Sequence, residues 1–231
     1  MGRAIMNTTL IKQRFSRSLQ TYEQTAIVQR EMAKILTEFL PQNKNFDSIL
    51  EIGCGTGFLT RELVKKINYT TYTANDIVED CSKYIESIDK NIVFLKGDIN
   101  SLTLNSKYDL IISNAVFQWF KGTDFLHKLK QHLKPDGIIV FSSFGEKNFQ
   151  ELKEIFNIGL EYSQFAKPTF ENIIELEFET LVELLKHIQS TGVNAITNYP
   201  LTKGALKQLE KEFLQKYGKI KLTYNPTYFI I

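Results

Sequence analysis

The chain predicts an α/β fold: a doubly wound, mostly parallel sheet of seven strands, with a helical segment ahead of it and a helical lid behind. Three observations carry that prediction. Short apolar runs alternate with stretches of helical periodicity from about residue 46 to residue 144. The run Ile49-Leu50-Glu51-Ile52 leads directly into glycines at 53, 55 and 57 and then a helix-like segment. That order reads as a buried strand, a tight turn and a helix N-terminus. Polar residues recur at the predicted carboxyl ends of the strands, where parallel sheets hold ligands.

The elements follow in order. Residues 10–40 read as helical, with Ala26, Arg30, Ala33, Leu36, Phe39 and Leu40 at helical spacing. Pro41 and the polar run to Asn45 end that segment, so residues 1–45 form an N-terminal helical unit and 46–231 the main domain. Strand one spans 48–53 and its helix 57–67; strand two spans 71–76 and a helix 79–88; strand three spans 92–95. Strand four, rich in Ile and Leu, covers 108–113, and a helix covers 122–133. Lys134-Pro135-Asp136-Gly137 is a turn signal before strand five at 138–143. Beyond Phe144 the rhythm changes. Phe149, Leu152, Phe156 and Leu160 make an apolar helical stripe, 172–179 alternate like a strand, 180–190 and 203–217 look helical, and 220–230 read as one final strand. Helices within about 145–217 are expected to form the lid.

Composition narrows the function. With 231 residues and 43% hydrophobic content the chain can bury one sizeable core. A net charge of +2 argues against a general nucleic-acid binder. No apolar run approaches the ~18 residues needed to span a membrane, and the N-terminus lacks the apolar core of a signal peptide. Cys54 and Cys81 make no disulfide framework, and the three histidines lack metal spacing. A cytoplasmic protein without metal is expected, with a monomer favoured.

Glycines at i, i+2 and i+4 differ from the dinucleotide fingerprint, whose third glycine would fall at 58; that position is Phe58. Glu51 sits just before the turn, where a carboxylate can support a ligand's ammonium group. Asp76 ends strand two, 19 residues past Gly57, the place for a carboxylate that accepts ribose hydroxyls. Asp98 follows strand three, where it can accept from an adenine amino group while Ile99 packs on the ring. Asn114-Ala115 ends strand four. Each alone is an ordinary loop residue; in order, each at a strand end, they resemble the S-adenosylmethionine (SAM) site of class I methyltransferases over residues 48–144. That resemblance implies a Rossmann-like fold. It implies SAM contacts at Glu51, Gly53, Cys54, Gly55, Gly57, Asp76, Ile77, Asp98, Ile99, Asn114 and Ala115. Adenine-N6 enzymes would show Asn-Pro-Pro-aromatic where this chain has Asn114-Ala115-Val116-Phe117, and no Pro-Cys pair serves a cytosine-C5 mechanism. A nucleic-acid substrate is therefore disfavoured.

Two segments speak to the acceptor. Tyr22 and Gln29 are seven residues apart, so on one helix they share a face. Trp119 follows strand four and offers an indole N–H, while Gln29 offers an amide donor. Two neutral donors can hold a carboxylate and leave it nucleophilic. The arrangement is similar to plant small-molecule carboxyl methyltransferases. The same residues also read as a core aromatic and a surface amide, and spacing alone supports both readings equally.

A wider resemblance covers nearly the whole chain. Arg14-Phe15, Tyr22-Glu23-Gln24 with Gln29, the glycine loop, Gly97-Asp98-Ile99, Ser113-Asn114 with Val116 and Gln118-Trp119 resemble the malonyl-[acyl-carrier-protein] O-methyltransferases of biotin synthesis. So do Leu133 to Gly137, Ser190 to Ala195 and Leu222-Thr223-Tyr224. One departure is Val78 after Asn75-Asp76-Ile77, where that family often has a small residue. The resemblance implies methyl transfer from SAM to the free carboxylate of malonyl-acyl carrier protein, giving the ester that primes pimeloyl synthesis. Tyr22, Gln29 and Trp119 would then be the catalytic residues. The alternative acceptors are another small acid or a quinone precursor. An acidic carrier protein would dock on basic residues, with Arg14, Arg17 and Arg30, or Lys186, Lys203 and Lys207, as candidates.

Overall fold

The computed structural model describes residues 8–41, 44–120, 124–156, 165, 167–191 and 202–231. Its main sheet has seven strands in the order β3-β2-β1-β4-β5-β9-β6. These are β1 (Phe46–Ile52), β2 (Tyr69–Asp76), β3 (Val93–Lys96), β4 (Tyr108–Ser113), β5 (Leu133–Phe144), β6 (Phe170–Glu171) and β9 (Pro226–Ile230). β1 to β5 run parallel, whereas β9 lies antiparallel between β5 and β6. Strand order reverses between β1 and β4, so a crevice opens there at the carboxyl ends of the strands. A two-stranded antiparallel sheet, β7 (Ile174–Phe178) with β8 (Ile220–Tyr224), stands apart.

Helices cover both faces because successive strand residues point to opposite sides. Ile49 joins Met32, Leu36, Leu63, Tyr72 and Ile85 in one apolar layer. Its neighbour Leu50 joins Ile111, Phe117, Leu129 and Phe141 in the other. In that second layer Phe117 stacks on Phe141 at 4.0 Å, and Phe141 on Phe229 at 4.6 Å. The helices are α1 (Thr8–Thr25), α2 (Ile27–Glu38), α3 (Phe58–Lys66), α4 (Cys81–Ile88), α5 (Asp124–Lys130), α6 (Gln150–Phe156), α7 (Leu181–Ser190) and α8 (Lys203–Tyr217). Among the described residues no helix is long and apolar enough to cross a membrane.

The structure corrects four sequence expectations. The N-terminal segment is two helices, because the chain kinks at Ala26 (φ −82, ψ 53). The helix expected to reach residue 133 ends at Lys130, residues 122 and 123 lying outside the described residues, and the expected turn at 134–137 is a bulge inside β5. Leu133 pairs with Tyr108 while Ile138 pairs with Leu110, so the extra residues loop out where Pro135 has no N–H to give a ladder. The final strand is two strands. Around Asn225 the backbone bonds leave the ladder: Asn225 N–H donates to Asn148 Oδ1 and its carbonyl accepts from Gly145 N–H. The chain therefore changes sheets, and the strand expected at 172–179 pairs with β8 rather than with the main sheet. Leu160 of the expected stripe, and residues 192–195 of the turn after α7, lie outside the described residues.

Leu36 is wholly buried in α2. Leu36→Ala is expected to lower the unfolding free energy by ~2–5 kcal/mol, read as a lower urea midpoint at unchanged slope.

Candidate active site

At the crevice the chain leaves β1 through Gly53 (φ 69), Cys54 and Gly55 (φ 53), and Gly57 (φ 85) caps α3. The N–H groups of Gly53 and Cys54 both donate to the Asn75 carbonyl, at 2.8 and 2.9 Å. Gly53 is required twice over. Its φ is left-handed, and a Cβ there would stand 2.3 Å from Val116 Cγ2. Asp76 locks the loop: one carboxylate oxygen accepts from Gly55 N–H and the other from Val78 N–H, each at 2.9 Å. Burial still pushes its carboxyl upward, against those bonds.

Glu51 is buried under the same loop. One of its oxygens accepts from Thr60 Oγ1 at 2.7 Å and from the Tyr72 hydroxyl at 2.5 Å. Desolvation raises the Glu51 carboxyl to about 7, with the Tyr72 and Thr60 hydrogen bonds opposing the rise.

The exit of β4 is also fixed. Ser142 Oγ donates to Asn114 Oδ1 at 2.7 Å and accepts from Ala115 N–H at 2.9 Å. Ala115 sits at φ 55, a left-handed conformation costly for a residue with a Cβ. Asn114 Nδ2 donates to the backbone carbonyl of Gln29 at 2.9 Å, which ties α2 to β4. Gln118 Nε2 donates to the Ala115 carbonyl at 2.6 Å and braces the turn that carries Trp119.

One cavity joins these parts. Of the expected residues it brings together Tyr22, Glu51, Gly53, Cys54, Gly55, Asp76, Ile77, Asp98, Ile99, Asn114, Ala115 and Trp119. Gly57 and Gln29 are not on its wall. The expectation that Tyr22 and Gln29 share one helix face does not hold, because the kink at Ala26 lies between them. Gln29 is 4% exposed, behind the wall, and its Oε1 is buried without a partner. It is thus no surface amide. Trp119 is half-buried on the cavity wall, so it is no core aromatic.

The roof was the least legible part. Phe15 and Tyr22 of α1 meet edge-on at 4.9 Å, and Tyr22 stacks on Phe58 at 5.6 Å. Phe15 lies over the loop, 3.4 Å from where a Cβ on Gly55 would be. Arg30 and Arg61 both sit over the Phe58 ring, at 4.9 and 5.4 Å, and Arg61 pairs with Glu23 at 2.7 Å. Phe58 had argued only against a dinucleotide; here it is a wall. Thr56 was missed too: its hydroxyl is buried, unpartnered and on the lining.

A family model described as a methyltransferase domain matches residues 25–190. A malonyl-[acyl-carrier protein] O-methyltransferase of Calditerrivibrio nitroreducens is 38% identical over 95% of both chains. One of Haemophilus influenzae is 32% identical over 95% of this chain and 92% of that one. The chain belongs to this methyltransferase family. Among solved structures, a putative methyltransferase from Bacillus halodurans matches with a TM-score of 0.58 at 12% identity, covering 86% of this chain and 96% of that one. The N-methyltransferase NodS of Bradyrhizobium japonicum, solved with S-adenosyl-L-homocysteine, matches at 0.52 and 13% identity over 94% and 97%. These two share the fold.

The enzyme uses SAM, and its cavity suits that ligand. Among the described residues the lining holds three carboxylates, Glu51, Asp76 and Asp98, and no Lys, Arg or His. That balance suits a ligand carrying a sulfonium and an ammonium. The backbone at Gly53 is bare, the Thr56 hydroxyl awaits a partner, and Ile99 supplies an apolar face beside Asp98.

Gly53→Ala is expected to weaken SAM binding at least tenfold in calorimetry. The control is Gly218→Ala, which has a similar φ but open space around it; it should cost ~1–2 kcal/mol of stability and leave SAM affinity unchanged. A pH test follows from Glu51. A carboxyl raised in the fold stabilises when protonated, so its contribution is complete below the ordinary carboxylate value and is lost as pH rises through about 7. Melting temperatures of the ligand-free protein should therefore fall more steeply from about pH 5 to about pH 8 than those of Glu51→Gln. Parallel profiles would remove Glu51 as the source.

Proposed function

We propose that this methyltransferase transfers the methyl of SAM to the free carboxylate of a malonyl group carried by acyl carrier protein. Bound SAM supplies an electrophilic methyl on a sulfonium. Gly53, Cys54, Gly55 and Ile77 line its bed, Asp76 and Asp98 take its ribose and adenine polar groups, and Glu51 faces its ammonium. The observation that carries the choice of acceptor is the pair of neutral side chains, Tyr22 and Trp119, on the cavity wall, with no cationic side chain among the described residues that line it.

A carboxylate is ionised at neutral pH, so no residue has to remove a proton. What the chain must do is orient the acid, exclude water and leave the oxygen nucleophilic. Trp119 offers its indole N–H as a neutral donor. Gln29 stands behind the cavity wall, where Asn114 Nδ2 donates to its backbone carbonyl at 2.9 Å; for its amide N–H to reach the acid, as this reading requires, the side chain has to turn toward the cavity. Tyr22 closes the pocket from above, and α1 with the helices between 145 and 217 serves as its cover.

Acyl carrier protein docks on basic side chains under this reading. Arg30 is the best placed: it is exposed, and it sits on Phe58 at the cavity rim. Arg17, Lys186, Lys203 and Lys207 are exposed as well, whereas the side chain of Arg14 lies outside the described residues. A cytoplasmic monomer suits two buried free cysteines, Cys54 and Cys81.

Incubation with SAM and malonyl-acyl carrier protein is expected to add one methyl group to the carrier, seen by mass spectrometry, with slower transfer to malonyl-CoA and free malonate. Transfer to another small acid and none to the carrier would sink the proposal. Trp119→Phe should lower kcat/KM for the acid at least tenfold with little change in the KM for SAM; unchanged kinetics would clear Trp119 of the role.

A further inference from the structure

The ends of the first three strands meet at Asn75, which is 2% exposed in β2 and lies on the cavity wall. Its backbone carbonyl accepts from the N–H groups of Gly53 and Cys54. Its side chain serves β3 instead. Nδ2 donates to the Leu95 carbonyl at 2.8 Å and to the Gly97 carbonyl at 3.0 Å. One residue thus holds the glycine loop with its main chain and the exit of β3 with its amide.

β3 has few other supports. It is a four-residue strand at the edge of the main sheet, with β2 as its neighbour. Beyond it Gly97 leaves the strand at φ 141, and a Cβ there would stand 3.0 Å from Leu102 Cδ2. The turn that follows is closed on itself. Asp98 Oδ1 accepts from Asn100 N–H at 3.0 Å, and the Asp98 carbonyl accepts from the N–H groups of Ser101 and Leu102 at 2.8 and 3.1 Å. A turn bonded in this way moves as a unit, so its position follows from its attachments. Ile99 packs it into the second apolar layer, and Lys128 Nζ reaches the Asn100 carbonyl at 2.6 Å. The Asn75 amide, with the Gly97 N–H bond to the Asp76 carbonyl at 2.9 Å, fixes where it leaves β3.

Only a side chain with two N–H groups can serve both carbonyls. Aspartate has the same shape and no N–H, so it would set an oxygen against the Leu95 and Gly97 carbonyls. Without the amide, those carbonyls lose a donor at the base of the Asp98 turn, and a polar group left unpaired away from water is costly. Shifting the turn relieves that cost. The shift is felt at Asp98, one residue beyond Gly97 and itself on the cavity wall, because a hydrogen bond from its carboxylate to a ligand weakens steeply with misalignment.

We propose that Asn75 is a positioning residue that sets the enzyme's choice of nucleobase: its amide holds the 97–102 turn where Asp98 meets the adenine amino group, and it acts through Asp98 rather than through a contact of its own to the base. This rests on the reading that Asp98 accepts from that amino group. The glycine loop is left out of the effect, since it hangs on the Asn75 backbone carbonyl, which any residue at this position supplies.

The test is calorimetry with two ligands: SAM, and its purine analogue in which hydrogen replaces the adenine amino group. The wild-type enzyme is expected to prefer SAM about tenfold or more, the effect of one hydrogen bond to a charged group, and Asp98→Ala to abolish that preference. Asn75→Ala and Asn75→Asp should each bring the preference within about twofold while affinity for the purine analogue changes less than about threefold. In an Asp98→Ala background, Asn75→Ala should add almost nothing to the loss of SAM binding. Should Asn75→Ala fail to fold, Asn75→Ser, which keeps a single O–H donor, carries the same comparison and should reduce the preference at least about threefold. Equal weakening of both ligands in the Asn75 variants, with the preference intact, would overturn the inference and leave Asn75 a purely structural tie. An Asp98→Ala enzyme that still prefers SAM would instead overturn the reading of Asp98, and the inference with it.

Discussion

The site depends on one carboxylate. Asp76 gives one oxygen to Gly55 N–H and the other to Val78 N–H, so it clamps the first loop to the end of the second strand. A side chain that joins two adjacent strand ends fixes the width of the crevice between them. Gly53 and Cys54 N–H donate to the Asn75 carbonyl and Gly57 N–H to the Cys54 carbonyl, so Gly55 N–H is the loop donor that Asp76 satisfies. Burial opposes the charge on Asp76 and outweighs the backbone donors that favour it. The same carboxylate thus holds the loop in shape and lies on the cavity wall.

A second constraint governs the acceptor side. Ser142, Asn114 and Ala115 form a closed set of hydrogen bonds at the β4 exit, and Asn114 extends it to the Gln29 carbonyl. The strained Ala115 turns the chain so that Val116 reaches Gly53 and Trp119 reaches the cavity. A Cβ on Gly53 would stand 2.3 Å from Val116 Cγ2, so the turn after β4 is packed against the glycine loop and neither can be repacked alone.

The fold was legible because its signals are local. Alternating apolar runs, the glycine spacing and the carboxylates at strand ends each depend on a few neighbouring residues, and the mostly parallel, doubly wound sheet followed from them; the strand order is seen only in the structure. The bulge at 134–137 was read as a turn because Pro and Gly mark both, and only the pairing of Leu133 with Tyr108 separates them. The split at Asn225 depends on Asn148 and Gly145, far away in sequence. In the site, most of the residues expected to hold the cofactor line one cavity, since they sit on the strand ends themselves. Gln29 was identified as a residue of interest but misplaced, because a kink at Ala26 carries no motif. Phe15, Thr56 and the stacking role of Phe58 left no sequence signal; they matter through contacts made across the fold.

Helix α1 spans the mouth of the cavity. Phe15 covers the glycine loop, and Tyr22, two turns further on, lies on the same wall while stacking on Phe58. Glu23, which follows Tyr22 in α1, pairs with Arg61 of α3 at 2.7 Å, so the helix is tied to the element that the glycine loop feeds. A substitution that displaces α1 therefore disturbs the glycine loop and the rest of the cavity together.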